Sequence, residues 1–181
     1  MSTISPKVTR NIAAKLAEKG VDMLDAPVSG GDKGAIAGTL SIMVGGKKEV
    51  FDKCLPIFEA MGKKIVHVGD HGIGQIVKLC NQIVGGLNIL SMCEGLIFGA
   101  KMGVNLEKML EAVGAGAAGS WMISNLAPRV LKRDFEPGFM IDLQQKDLRI
   151  ALSAAEELNI PLPATSLVHQ LFAAVQAEGK G

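Results

Sequence analysis

Between His71 and Glu94 the chain carries one charged side chain, Lys78, in the run Gly72-Ile73-Gly74-Gln75-Ile76-Val77-Lys78-Leu79-Cys80-Asn81-Gln82. If this run is helical, Asn81 and Gln82 fall three and four residues beyond the lysine, on its own face. An ammonium held against apolar surface loses hydration, which brings its neutral form within reach. A lysine tuned in this way can serve as a general acid or base near neutral pH. The competing reading is a lysine whose stem lies along the helix while its head reaches water. Spacing alone leaves both open.

Three other groups of residues could do chemistry. Ser29-Gly30-Gly31 follows a strand candidate, in a loop that continues through Gly34 and Gly38. Without side-chain bulk, backbone amides can converge on an anion. With the Ser29 hydroxyl, such a loop could hold a carboxylate, although its composition is equally that of an ordinary flexible loop. Asp142 and Lys146 stand at i and i+4. They read first as a surface ion pair and second as a lysine facing the same cleft as Lys78. Gly72-Ile73-Gly74 could place amides at a helix N-terminus, but it lacks the third glycine of a dinucleotide fingerprint.

The elements that would position these groups are legible from periodicity and breakers. Ser5 as N-cap and Pro6 at the first helical position open a helix running to about Lys19 and stopped by Gly20. Val21 to Leu24 is a short strand candidate, and Asp25 to Gly38 a turn-rich loop. Leu40 to Val44 is a buried strand. Lys48 to Met61 is an amphipathic helix with Val50, Phe51, Cys54, Ile57 and Phe58 on its apolar stripe. Ile65 to Val68 is a third strand. A long helix from about Gly74 to Met102 is apolar around most of its circumference and is expected to be buried on several sides. Four more helices follow: Asn105 to Val113, Ser120 to Leu131, Ile141 to Leu158 and Ala164 to Glu178. The expected domains are 1–70, an α/β layer, and 71–181, all helical. Its few strands and abrupt start mark the α/β part as the back portion of a larger unit.

Composition narrows the function. There are 181 residues, with 19 basic and 18 acidic side chains, 48% hydrophobic, no tyrosine and one tryptophan. A basic, aromatic-studded nucleic-acid surface is therefore not expected. Cys54, Cys80 and Cys93 are isolated, which suggests reduced, buried thiols and a cytoplasmic setting. His67, His71 and His169 lack ligand spacing, so no metal site is expected. No signal peptide is visible at the start. The apolar stretch Ile83 to Phe98 is interrupted by Asn88, Ser91 and Glu94, which favours a buried soluble helix over a membrane span.

Three segments together resemble the 3-hydroxyacid dehydrogenase family, the group with 3-hydroxyisobutyrate dehydrogenase and 2-hydroxy-3-oxopropionate reductase. They are Met1-Ser2-Thr3-Ile4-Ser5-Pro6 leading to Asp25-Ala26-Pro27-Val28-Ser29-Gly30-Gly31, the run Gly72 to Gln82, and Phe139-Met140-Ile141-Asp142-Leu143-Gln144-Gln145-Lys146-Asp147-Leu148. The resemblance implies the remnant of a Rossmann domain followed by an all-α domain like the C-terminal one of 6-phosphogluconate dehydrogenase. It implies Lys78 as the catalytic acid/base, Ser29, Gly30 and Gly31 on the substrate carboxylate, and Asn81 orienting the substrate. Gln82, at the neighbouring position where other members carry asparagine, would bind the substrate as well, and Lys146 would lie beside an NAD or NADP nicotinamide. It further implies hydride transfer to or from a small 3-hydroxy acid or its semialdehyde, and a homodimer or homotetramer. Reduction of 2-hydroxy-3-oxopropionate to glycerate heads the expected reactions. Oxidation of 3-hydroxyisobutyrate and reduction of glyoxylate or succinic semialdehyde are the alternatives. An inactive helical dimerisation module is the competing reading from another class.

The fingerprint GxGxxG after a first strand is not in this sequence, nor is the residue that selects NAD over NADP. The isolated chain is therefore expected to bind dinucleotide weakly and to turn over slowly or not at all. A spectrophotometric assay of nicotinamide oxidation checks this, and normal turnover would contradict it.

Overall fold

A computed structural model describes residues 1–181. Helix α1 spans Pro6–Ala17. Ser5 stands at its N-cap, but its side chain makes no capping bond; the Ser5 carbonyl instead accepts from Thr9 Oγ1 at 3.0 Å. Three strands form one sheet in the order β1 (Val28–Ser29), β2 (Leu40–Gly45), β3 (Gly62–Gly69). β1 runs antiparallel to β2, with Val28 opposite Ile42 and Ser29 opposite Ser41. β2 and β3 are parallel and are joined across helix α3 (Lys48–Glu59), a βαβ unit. Ile42 and Val44 are fully buried, and with Ala26, Leu40, Phe51 and Phe58 they make the core of this half.

Several expectations for this half need correction. Val21 to Leu24 is not a strand: only Asp25 bridges the sheet, opposite Gly45, and the Met23 carbonyl is taken by His71 Nε2 at 2.9 Å. The region from Asp25 to Gly38 is not all loop. It holds β1 and a short helix α2 (Gly31–Ile36). On α3, Ile57 points to water. The buried stripe is Phe51, Cys54, Leu55 and Phe58, the i, i+3, i+4, i+7 set, which position 57 does not fit.

Helix α4 spans Ile73–Lys101. α5 (Leu106–Gly114) is capped by Asn105 Oδ1, which accepts from Lys108 N at 2.9 Å. The expected helix from Ser120 to Leu131 is two short ones, α6 (Trp121–Asn125) and α7 (Ala127–Leu131). Pro128 lacks the N–H that a continuous helix would need there. α8 (Ile141–Glu157) and α9 (Pro163–Ala177) complete the helical half. Met92, Leu96 and Ala127 form its second core, where α4 meets α5, α6 and α7. Where α4 meets α8 and α9, Gly86 leaves room for Gln144 and Val168, each 3.4 Å from where a Cβ would stand.

The expectation that α4 is buried on several sides holds only along one stripe. Val84, Ile97 and Phe98 are exposed, because the other helices cover a single side. By length and composition alone α4 could cross a membrane. Yet it also buries Gln75, Lys78 and Gln82 against its neighbours. The expected buried thiols are corrected too: Cys80 is exposed, while Cys54 and Cys93 are half-buried.

The two halves are joined at the start of α4. Asp25 is 3% exposed. Its backbone pairs with Gly45 in both directions, Asp25 N to Gly45 O at 3.0 Å and Gly45 N to Asp25 O at 2.8 Å. Its carboxylate accepts from Gly72 N at 2.8 Å and from Gln75 N at 3.0 Å. Gly72 is the N-cap of α4, at φ +85°, and has no side chain to offer, so a residue 47 positions earlier does the capping. A Cβ at Gly74 would stand 2.6 Å from Met43 O and 2.7 Å from Asp25 Oδ2, so only glycine fits this joint. Asp25→Ala orphans two buried helix amides. It is expected to cost about 2–4 kcal/mol, read as a lower urea midpoint at unchanged m-value.

Candidate active site

Lys78 lies on the second turn of α4 and is 7% exposed. None of the chain's six ion pairs includes it. Burial pushes its pKa below the ordinary lysine value; the Asp147 carboxylate opposes that shift, and the Lys146 ammonium reinforces it. The amine is therefore largely withdrawn from water, with one negative and one positive charge acting on it.

Asp147 is 2% exposed on α8 and accepts from Gln82 Nε2 at 2.8 Å. Lys146 Nζ is 2.8 Å from Asp147 Oδ1. That approach is off the hydrogen-bonding direction and leaves Oδ1 without a directed donor, so the contact is an ion pair only. Lys146 Nζ donates instead to Thr3 O at 2.6 Å. The expected i, i+4 pair of Asp142 with Lys146 does not form. Asp142 accepts from Gln176 Nε2, because Lys146 turns the other way, toward the N-terminal segment. Gln75 holds that segment as well, accepting from Ile4 N at 3.1 Å and donating to Ser2 O at 3.0 Å.

Asn81 is half-buried and donates from Nδ2 to Gln82 Oε1 at 2.9 Å. Gln82 Nε2 donates to Gln144 Oε1 at 3.0 Å as well as to Asp147. Gln144 Nε2 donates back to the Gln82 carbonyl at 3.2 Å. The structure thus spends the Gln82 amide on protein partners.

Ser29 ends β1 and is half-buried. Gly30 at φ +139° and Gly31 at φ +65° adopt backbone conformations that suit glycine, and together they turn the chain into α2. Gly138 O lies 3.4 Å from where a Cβ of Gly31 would stand. The segment carrying Gly138 is fastened by Arg129, whose guanidinium pairs in two places with Asp134, at 2.8 and 3.0 Å, and also donates to Glu136 O at 2.6 Å. That guanidinium holds the Asp134 carboxyl down at about 2.

Lys78, Asn81, Gln82 and Lys146 thus gather along the first turns of α8. The Ser29-Gly30-Gly31 turn borders the same chain segment at its start, beside Gly138. Two open concavities lie elsewhere. One is between α5 and α7, lined by Leu110, Pro128 and Leu131 among others, and one is beside α1, lined by Arg10, Ala13 and His71 among others. Sequence reading gave no role to Asp147 or Gln144. The available signal was their register with Leu148, Ala151 and Ala155, which places two polar side chains on the buried stripe of a helix.

The depressed Lys78 pKa has a consequence for stability. Below the folded-state value the lysine is protonated both folded and unfolded, and folding carries the full cost of burying its charge. Between that value and the unfolded one the unfolded chain binds more protons, so stability rises with pH through this window. Lys78→Met is therefore expected to raise the melting temperature at pH 7, with the gain shrinking as pH approaches that of an ordinary lysine. Melts recorded across this range check the sign.

Residues 72–181 match the family model described as NAD-binding of NADP-dependent 3-hydroxyisobutyrate dehydrogenase. Residues 1–69 match that of the NAD binding domain of 6-phosphogluconate dehydrogenase. The chain is 46% identical over 179 residues to 2-hydroxy-3-oxopropionate reductase of Escherichia coli, covering 99% of this chain and 61% of the relative. It is 46% identical over 182 residues to 2-(hydroxymethyl)glutarate dehydrogenase of Eubacterium barkeri, covering 100% and 60%. Among solved structures, Mycobacterium tuberculosis 3-hydroxyisobutyrate dehydrogenase with L-serine superposes with a TM-score of 0.92 at 32% identity, covering 99% of this chain and 64% of that one. The chain thus spans about three fifths of the length of the relatives it matches. A buried lysine on the long helix, a glycine turn beside β1 and a match over both halves lead to one conclusion: the chain belongs to the 3-hydroxyisobutyrate dehydrogenase-like family of NAD-binding proteins.

Proposed function

We propose that this chain supplies the substrate-holding and proton-transferring part of an NAD(P)-dependent oxidoreductase acting on a small 3-hydroxy acid or its semialdehyde. The observation that carries the reading is Lys78: a lysine amine 7% exposed, its pKa lowered by burial, on a helix lined with amides. Residues 1–70 would be the remaining part of the dinucleotide-binding domain, and 71–181 the helical substrate and dimerisation domain.

The residues divide the work as follows. The Ser29 hydroxyl and the Gly30 and Gly31 amides hold the substrate carboxylate. Asn81 orients the reacting carbon. The bound nicotinamide supplies or accepts the hydride. In reduction, negative charge grows on the aldehyde oxygen, and protonated Lys78 stabilises it and delivers the proton, leaving a neutral amine. In oxidation, neutral Lys78 takes the alcohol proton. Burial, reinforced by Lys146, favours the neutral amine, while Asp147 favours the charged one.

The cofactor fits this chain at one end only. Lys146, fixed between Thr3 O and Asp147, suits the nicotinamide side. The diphosphate has no cradle here. At the start of α4 the Asp25 carboxylate already accepts from the Gly72 and Gln75 amides, Ile73 N donates to Asp70 O, and that carboxylate would repel a phosphate.

For the substrate we favour 2-hydroxy-3-oxopropionate, reduced to glycerate. A relative named for 2-(hydroxymethyl)glutarate is equally similar to this chain, at 46% identity, so a larger dicarboxylate is the second candidate. Exposed Val84, Ile97 and Phe98 on α4, with Leu167 and Leu171 on α9, are apolar surface that a homodimer or homotetramer would cover. Lys78→Ala in a chain carrying a complete dinucleotide-binding domain is expected to lower kcat about 10²–10⁴-fold with assembly unchanged. Undiminished turnover would defeat the reading.

A further inference from the structure

The geometry points to Gln82 as a positioning residue, one that sets the orientation of Asn81 rather than touching substrate itself. The inference rests on the reading of Asn81 as the substrate-orienting amide, and it extends that reading to how the amide is aimed.

The argument begins at Asp147. A carboxylate only accepts hydrogen bonds, so the Gln82 atom 2.8 Å from Asp147 Oδ2 has to be the nitrogen. The second hydrogen on that nitrogen goes to Gln144 Oε1 at 3.0 Å. Gln144 is itself fixed in direction, because its Nε2 faces the Gln82 backbone carbonyl, another acceptor-only group. Two independent acceptors therefore agree on where Gln82 Nε2 sits. Gln82 Oε1 is then forced to the other side, toward Asn81, and Asn81 has to offer it an N–H, which it does at 2.9 Å. The direction of every bond in the series Asp147, Gln82, Asn81 follows from the charge at its first member.

Two consequences separate this role from direct binding. Gln82 is 5% exposed and both of its N–H groups are used, so it has no donor left for a ligand. Asn81 is half-buried with one N–H committed, so it presents its Oδ1 and a single remaining N–H. An asparagine at position 82 is one methylene shorter and would not span from Asn81 to Asp147 at these distances, so the extra length of glutamine is what closes the series.

The test follows side-chain amide exchange by NMR in the full chain, with glycerate as the binding probe. In the native chain both Gln82 N–H groups and one of the two Asn81 N–H groups should be protected, and glycerate should perturb the Asn81 amide and leave the Gln82 pair protected. Gln82→Met, close in volume and without hydrogen-bonding groups, should speed exchange of the protected Asn81 proton and weaken glycerate binding, each about tenfold, the weight of one ordinary hydrogen bond. Unchanged Asn81 exchange in Gln82→Met overturns the proposal. So does rapid exchange of the Gln82 pair in the native chain, a measurement that needs no variant to fold. Loss of glycerate binding with Asn81 protection intact would make Gln82 a direct ligand and also overturn it. If the native chain binds no glycerate, the substrate reading fails, while the exchange measurements still decide whether Gln82 aims Asn81.

Discussion

The contact on which the structure turns is the Asp25 carboxylate seated on the first turn of α4. It satisfies two amides that no side chain of the helix itself can reach, and it sets negative charge against the positive end of a 29-residue helix dipole. Because the Asp25 backbone is also paired on both sides with Gly45, the end of β2 and the beginning of α4 are fixed by one residue. The glycine turn that follows β1 and the lysine on the second turn of α4 are both measured from this point. Gly45 and Gly74 serve the same joint by being absent in side chain: each stands where a methyl group would meet backbone or carboxylate oxygen within 3 Å.

From that joint the helical half builds a polar seam inside an apolar surface. Gln75, Lys78 and Gln82 lie on one stripe of α4; Gln144 and Asp147 bond Gln82 from α8, and Gln75 bonds the N-terminal segment. Buried polar groups persist when they are paired, and every side chain of the seam makes a hydrogen bond except Lys78, Asp147 doing so through Oδ2 alone. The exception is the informative part. A fully matched Lys78 would be a structural ion pair, locked in its charged form. One left without a direct partner, near a carboxylate and an ammonium of opposite effect, can change charge without dismantling its surroundings.

How much of this could be read from the amino acids depends on the range of the interaction. Pro6, Asn105, and the Phe51, Cys54 and Phe58 spacing are local signals, and they marked their helices to within a residue or two. Lys78 stood out because one charge in an apolar run is visible without any tertiary information. Asp25 did not stand out, because its partners Gly72 and Gln75 are 47 and 50 residues away and a glycine at an N-cap gives no hint of a distant acceptor. The helix expected through Leu131 is broken at Leu126, where Pro128 can give no N–H to a continuous helix. The face of α4 was misjudged for a different reason. Periodicity reports which side chains are apolar, and only packing reports whether anything arrives to cover them. The i, i+4 spacing offers Lys146 a partner one turn away, whereas the fold offers it a backbone carbonyl 143 positions earlier.

The segment from Ser2 to Ile4 illustrates a last point. Gln75 reads it through one backbone carbonyl and one backbone amide, and Lys146 reads it through another carbonyl. Main-chain atoms are common to every residue except proline at the donor position. The grip is therefore indifferent to spelling: none of these three bonds uses a side chain of residues 2, 3 or 4, and Ser2, the exposed one of the three, is free to be recruited for recognition.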